Sequence, residues 1–188
     1  MGLKLGPVSA QQNWDFTPES GISNASTSSI WGADVGLTTD LLDAKLFILQ
    51  IELHYVQKGR TITVIETVPA NNPQGYIDIG QSDVKQRFNY LSIPLLVKLS
   101  TQFGASRPFI SVGPSFEYLI SHPSSPVYDQ FRKTEISATV SVGGDFSTGF
   151  GLTISPEIRY VRGLTQSFKN GNVTVTTQAW AFLLGFRL

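Results

Sequence analysis

Hydrophobic and polar residues alternate with a period of two along most of the chain. Phe47, Leu49, Ile51, Leu53 and Tyr55 interleave with Ile48, Gln50, Glu52 and His54. Leu91, Ile93, Leu95, Val97 and Leu99 interleave with Tyr90, Ser92, Pro94, Leu96 and Lys98. The same rhythm runs through Ile110–Tyr118, Ile136–Val142, Phe150–Tyr160 and Trp180–Leu188, and more weakly through Leu3–Gly6 and Trp31–Thr38. Such alternation marks strands with one apolar and one polar face. It predicts eight strands, at 2–12, 30–42, 45–58, 85–101, 107–121, 134–147, 149–166 and 174–188. Several exceed the usual strand of about 5–6 residues and reach the ~9–11 that a tilted strand needs to cross a bilayer.

The connections sort by parity. Odd-numbered links are long and polar, at 13–29, 59–84, 122–133 and 167–173. Even-numbered links are short: Asp43-Ala44, Gln102–Ser106 and Phe146–Gly149. A membrane barrel sorts its links this way, because odd links emerge on one side and even links on the other. The expected fold is therefore all-β, one domain over 1–188. It is an eight-stranded antiparallel up-and-down transmembrane barrel with long extracellular loops and short periplasmic turns.

A lipocalin-like soluble barrel would show the same alternation with the faces reversed. Three features favour the membrane form. The polar face is built mostly from Gly, Ser and Thr, which suit the narrow interior of an eight-stranded barrel. Its few charges are balanced: Asp34, Glu52, Glu117, Asp145 and Glu157 against Lys4, Lys98, Arg159 and Arg187, with His54 beside them. Aromatic residues gather toward the strand ends, as membrane-interface girdles do. Trp14, Phe16, Trp31, Tyr55, Phe88, Tyr90, Tyr118 and Tyr160 lie toward the long links; Phe47, Phe103, Phe109, Phe146, Phe150 and Phe186 lie toward the short ones. Tyr90 and Phe109 fall in the inward phase. Pro7, Pro94, Pro114 and Pro156 also sit inside predicted strands. Each must mark a bulge, a strand end or a lost ladder bond.

Composition narrows the function. Lys plus Arg and Asp plus Glu are 14 each, which argues against a nucleic-acid partner. There is no cysteine, so thiolate metal sites, Cys nucleophiles and disulfides are excluded. His54 and His122 are the only imidazoles, so neither a metal site nor a cofactor is expected. No apolar run is long enough for a transmembrane helix. No signal peptide precedes the first strand, so an exported protein is expected here in its mature form.

Tyr90–Lys98 followed by Pro108–Pro114 resembles the central hairpin of the PorT-like outer-membrane β-barrel family of Bacteroidota. Pro156–Tyr160 with Gly163-Leu164-Thr165 is similar to its penultimate strand. The resemblance implies an outer-membrane location and prolines tolerated in place. Members are called porin-like, and some serve secretion or envelope assembly. This chain departs in having Ser92 where the family often has an acid, and in ending on Phe186-Arg187-Leu188.

The candidate sites follow from this frame. Lys4, Asp34, Glu52, His54, Lys98, Glu117, Asp145, Glu157, Arg159 and Arg187 would form a lumen charge network. It would either line a narrow channel or, because eight strands leave no aqueous bore, make a salt-bridged plug. His54 and Glu52, with a serine opposite, would alternatively suit a membrane-embedded hydrolase, although no nucleophile motif accompanies them and no catalytic residue is assigned. Lys58, Arg60, Lys85, Arg87, Arg132, Lys133, Arg162 and Lys169 would form an extracellular rim able to contact lipopolysaccharide phosphates, among acids such as Asp83 and Asp129. The link 59–84 is expected to continue strands three and four as a protruding hairpin. Ile62, Val64, Ile65, Tyr76, Ile77 and Ile79 would there offer a partner an edge for β-augmentation. Expected partners are outer-membrane lipid, lipopolysaccharide and other outer-membrane, secretion or assembly proteins.

Overall fold

The computed structural model describes residues 1–16, 28–44, 47–69, 76–123, 132–148, 150–165 and 173–188; for 13–16, 62–69, 76–82 and 173–174 it describes the backbone alone. Eight strands close into one antiparallel barrel in chain order, β1 pairing with both β2 and β8. They are β1 (Gly2–Phe16), β2 (Ile30–Asp43), β3 (Phe47–Pro69), β4 (Tyr76–Ser100), β5 (Ser106–Ser121), β6 (Thr134–Ser147), β7 (Thr153–Gly163) and β8 (Val173–Arg187). We call the end carrying the β2–β3, β4–β5 and β6–β7 links the turn end, and the opposite one the loop end. Two of the tight connections use glycine with positive φ, Gly104 at 58° and Gly151 at 81°, where a side chain would be strained.

Polarity is inverted relative to a water-soluble barrel. Val112 and Val140 are 54% and 51% exposed on the outer wall, whereas Glu52 and Arg159 are 2% and 3% exposed inside. Trp31, Tyr55, Tyr118 and Trp180 face outward toward the loop end, and Phe47, Phe103, Phe146 and Phe150 toward the turn end. Phe88, Tyr90 and Phe109 instead fill the interior, which removes them from the expected girdles. Their even position on β4, or odd position on β5, sets the inward phase.

β3 and β4 continue past the expected strand ends and stay paired out to Pro69 and Tyr76. Paired strand thus replaces most of the expected 59–84 link. Among the described pairings, β4 leaves β5 beyond Asn89 and β2 leaves β3 beyond Asp34, apart from a Ser28–Thr61 bridge. The continuation is a two-stranded ribbon.

The prolines resolve as lost bonds. β1 and β8 pair at Leu5–Leu184 and again at Val8–Ala181, with the two pairs around Pro7 missing and the register unchanged. β3 and β4 skip the two pairs around Pro94, β4 and β5 those around Pro114, and β6 and β7 those around Pro156. An antiparallel ladder uses each N–H in two adjacent pairs, so one absent donor deletes two pairs without shifting the strand. Two of these prolines follow a glycine. A Cβ on Gly6 would lie 1.9 Å from the carbonyl oxygen of Phe182, and one on Gly113 the same distance from that of Leu95. These are the carbonyls that lose the proline donor, and each rests on the glycine Cα–H instead.

Candidate functional site: the ion-paired lumen

Inward-facing positions on β1, β2, β3 and β7 meet across the middle of the barrel. Lys4 Nζ donates to Glu52 Oε1 at 2.6 Å and to Glu157 Oε2 at 2.5 Å. The Arg159 guanidinium reaches Glu52 Oε2 at 2.6 Å and Glu157 Oε1 at 2.7 Å. Two acids and two bases therefore alternate around a closed square. His54 extends it, with Nε2 3.0 Å from Glu52 Oε2 and Nδ1 2.5 Å from Asp34 Oδ1. Both ring nitrogens face carboxylates, and only an imidazolium can donate to both. In that form three carboxylates meet three cations. The ring lies against Gly36, where a Cβ would fall 2.4 Å from it.

Satellite pairs surround this centre. Toward the loop end, Lys58 Nζ contacts both oxygens of Glu117, at 2.6 and 2.7 Å. Toward the turn end, Asp145 receives Lys98 Nζ at 2.7 Å and the Ser155 hydroxyl at 2.7 Å, while Lys98 sits 3.8 Å from the centre of the Phe109 ring. Arg187 donates to Asp40 at 2.9 Å, and Gln50 donates to the same carboxylate. Hydroxyl pairs Ser111–Ser141 and Ser115–Thr139 join β5 to β6. Buried Phe88, Tyr90, Leu119 and Val175 close the bore on the loop side. A cavity of about 20 Å³ lies among the ion pairs, room for about one water.

All ten lumen residues named from the sequence lie on the inner face, but their partners required the register. Lys58 and Arg60 correct the expectation. Both are buried rather than exposed on the rim, because the even, inward phase of β3 runs unbroken through His54, Val56, Lys58 and Arg60. Arg60 donates to Gln86 there. Asp40 and Gln50 join the network although no expectation named them, and the same phase rule turns both inward. Lys85, Arg87, Arg132, Lys133 and Arg162 are exposed. Lys169 lies outside the described residues, as do the side chains of Ile62, Val64, Ile65, Tyr76, Ile77 and Ile79. Among the described residues no group of acids and histidines is arranged to hold a metal ion.

Residues 1–169 match the family model of the outer membrane protein beta-barrel domain. The chain belongs to this family. With the inverted polarity, this places the protein in the outer membrane, its apolar belt against lipid. Among solved structures, it is similar to the outer membrane enzyme PagL, at 9% identity and a TM-score of 0.54 over 98% of this chain and 99% of that one. OprG from Pseudomonas aeruginosa matches at 13% and 0.52 over 98% and 93%, and Neisserial surface protein A at 11% and 0.50 over 99% and 97%. At these identities the likeness is one of fold. No curated protein matches the sequence.

Proposed function

We propose that this member of the outer-membrane barrel family is a filled, non-conducting barrel. It would serve as a structural or accessory subunit of an envelope secretion or assembly complex, in the PorT-like branch of Bacteroidota. The observation that carries this reading is the lumen. Ion pairs span it from Asp40–Arg187 to Lys58–Glu117, and the small cavity among them has room for about one water. Charges buried this way need all their partners, so a solute path would have to break them. The branch assignment is supported by the Tyr90–Lys98 and Pro108–Pro114 hairpin. The β3–β4 ribbon supports a role in contact, because a two-stranded extension offers backbone edges to another chain. Lipid, and lipopolysaccharide at the exposed basic rim, are the other partners of this reading.

No catalytic role is included. Asp34 and Glu52 occupy both nitrogens of His54, leaving none to take a proton from a serine. PagL is an enzyme, but at 9% identity only its barrel carries over.

The test is conductance of the refolded chain in planar bilayers, with co-purification from native membranes in mild detergent as its companion. We expect no stable nanosiemens steps and recovery together with other envelope proteins. Steady open channels would overturn the filled-lumen reading, and recovery of the barrel alone would overturn the accessory one.

A further inference from the structure

The two edges of the β3–β4 ribbon differ. On β3, Thr61 exchanges both backbone hydrogen bonds with Ser28, at 3.0 and 3.3 Å, so this chain itself covers that edge there. It follows that the Thr61–Lys85 pair inside the ribbon is not hydrogen-bonded, and that Lys85 and Arg87 direct their N–H and C=O groups away from β3. Those groups face the lane that β5 leaves at Ser121. Extending the Asn89–Ser121 register would set Pro123 opposite Arg87, where it has no N–H to donate. Among the described pairings, β4 beyond Asn89 has β3 as its only neighbour. The open edge is also cationic. Lys85 and Arg87 are exposed on its outward face, and neither has a carboxylate partner among the described residues. Exposed Arg132 and Lys133 stand at the foot of the lane, where the Leu119 N–H donates to the Lys133 carbonyl at 2.7 Å. Asp83, the next outward residue of β4, already has a partner. Glu117 and Glu135 lie lower, buried on the inner faces of β5 and β6.

We infer that the β4 edge at Lys85 and Arg87 takes up an extended, acidic segment of a partner protein, which continues the lane of β5 and sets carboxylates at alternate positions against the two cations. This rests on the reading of the ribbon as a contact surface, and names the edge used and the chemistry of the strand it takes. The free N–H and C=O groups supply the backbone pairing. Residues paired across two strands share a face, so acids two positions apart on the incoming strand meet both Lys85 and Arg87. A second copy of this chain is a poorer occupant. Pairing two such edges sets cation against cation, and like charges directly opposite are destabilising.

The experiment is fluorescence anisotropy of short labelled peptides added to the full chain in detergent. One peptide alternates threonine with glutamate. The second has glutamine in place of each glutamate. The third is the glutamate peptide N-methylated at its glutamates, which keeps the charge and removes the donors that would pair with β4. We expect the glutamate peptide to bind, and the other two to bind more weakly by about tenfold or more. Lys85→Gln combined with Arg87→Gln should weaken the glutamate peptide by about tenfold, the scale of two opposite-charge cross-strand pairs. Arg107→Gln, which removes a cation at the turn end, should change it by less than about twofold. Heat-modifiable mobility on gels verifies that each variant is folded. Equal binding of the glutamine peptide, equal binding of the methylated peptide, an unchanged double variant, or no binding at all would each overturn the assignment. So would a dimer of the free chain that the glutamate peptide dissociates, which would give the edge to a second copy. Failure here with envelope proteins still co-purifying leaves the accessory reading standing, whereas recovery of the barrel alone removes that reading whatever the peptides do.

Discussion

At the residue scale, the barrel depends on shared acceptors. Glu52 accepts from Lys4, and its other oxygen faces both Arg159 and His54. Removing its charge leaves those three cations with only Glu157 and Asp34 for balance, in a site that water barely reaches. Glu52→Gln should destabilise the folded barrel by roughly 3–5 kcal/mol, as breaking a buried ion pair does; urea unfolding in lipid vesicles measures this. A change under about 1 kcal/mol, the range of exposed pairs, would show that the square is weakly coupled. The inner membership of this network was legible in the sequence, because phase alone decides which side a strand residue takes. Its pairings were not. They depend on which strands face one another across the bore, and alternation says nothing about that. Lys58 and Arg60 differ from the expected rim because the inward phase of the third strand carries through its expected end at Lys58 and on to Arg60, and polar residues are what the inner face requires.

At the element scale, the prolines show how a closed sheet in lipid tolerates missing donors. Each costs one ladder bond on one side and leaves the register intact. At Pro7 and Pro114 the preceding glycine lets the released carbonyl approach its Cα. Gly113→Ala should therefore cost about 1–3 kcal/mol, the range for forced overpacking, since its methyl would meet the Leu95 carbonyl. Pro114→Ala should be neutral or stabilising, by up to about 1.5 kcal/mol through a regained hydrogen bond. Hydrogen exchange should find the new amide at 114 protected. A rapidly exchanging amide there, or a harmless Gly113→Ala, would contradict this account. The sequence showed the prolines to be anomalous but left bulge, strand end and lost bond open; only the paired register separates them. The ribbon was visible in advance, because Thr61–Thr67 is rich in β-branched residues and Pro69–Gly75 has turn chemistry.

At the scale of the whole molecule, two layers of physics agree. The outer wall meets lipid with Leu, Ile, Val and aromatic side chains, and the inner face packs Ser, Thr, Gly and paired charges into a narrow bore. Every later step, from the location to the filled lumen, requires that arrangement. Fold and polarity were readable because the period-two pattern extends over nearly every strand, and because the polar face holds too few charges for a surface in water. The most direct test is spin-label accessibility in reconstituted vesicles, with single cysteines at Val112 and Val140 for the outer wall and at Ser115 and Ser141 for the inner face. The prediction is that labels at Val112 and Val140 relax strongly with oxygen and weakly with a polar nickel chelate, while those at Ser115 and Ser141 are shielded from both. Labels at Val112 and Val140 shielded from both reagents, with those at Ser115 and Ser141 open to the nickel chelate, would contradict it.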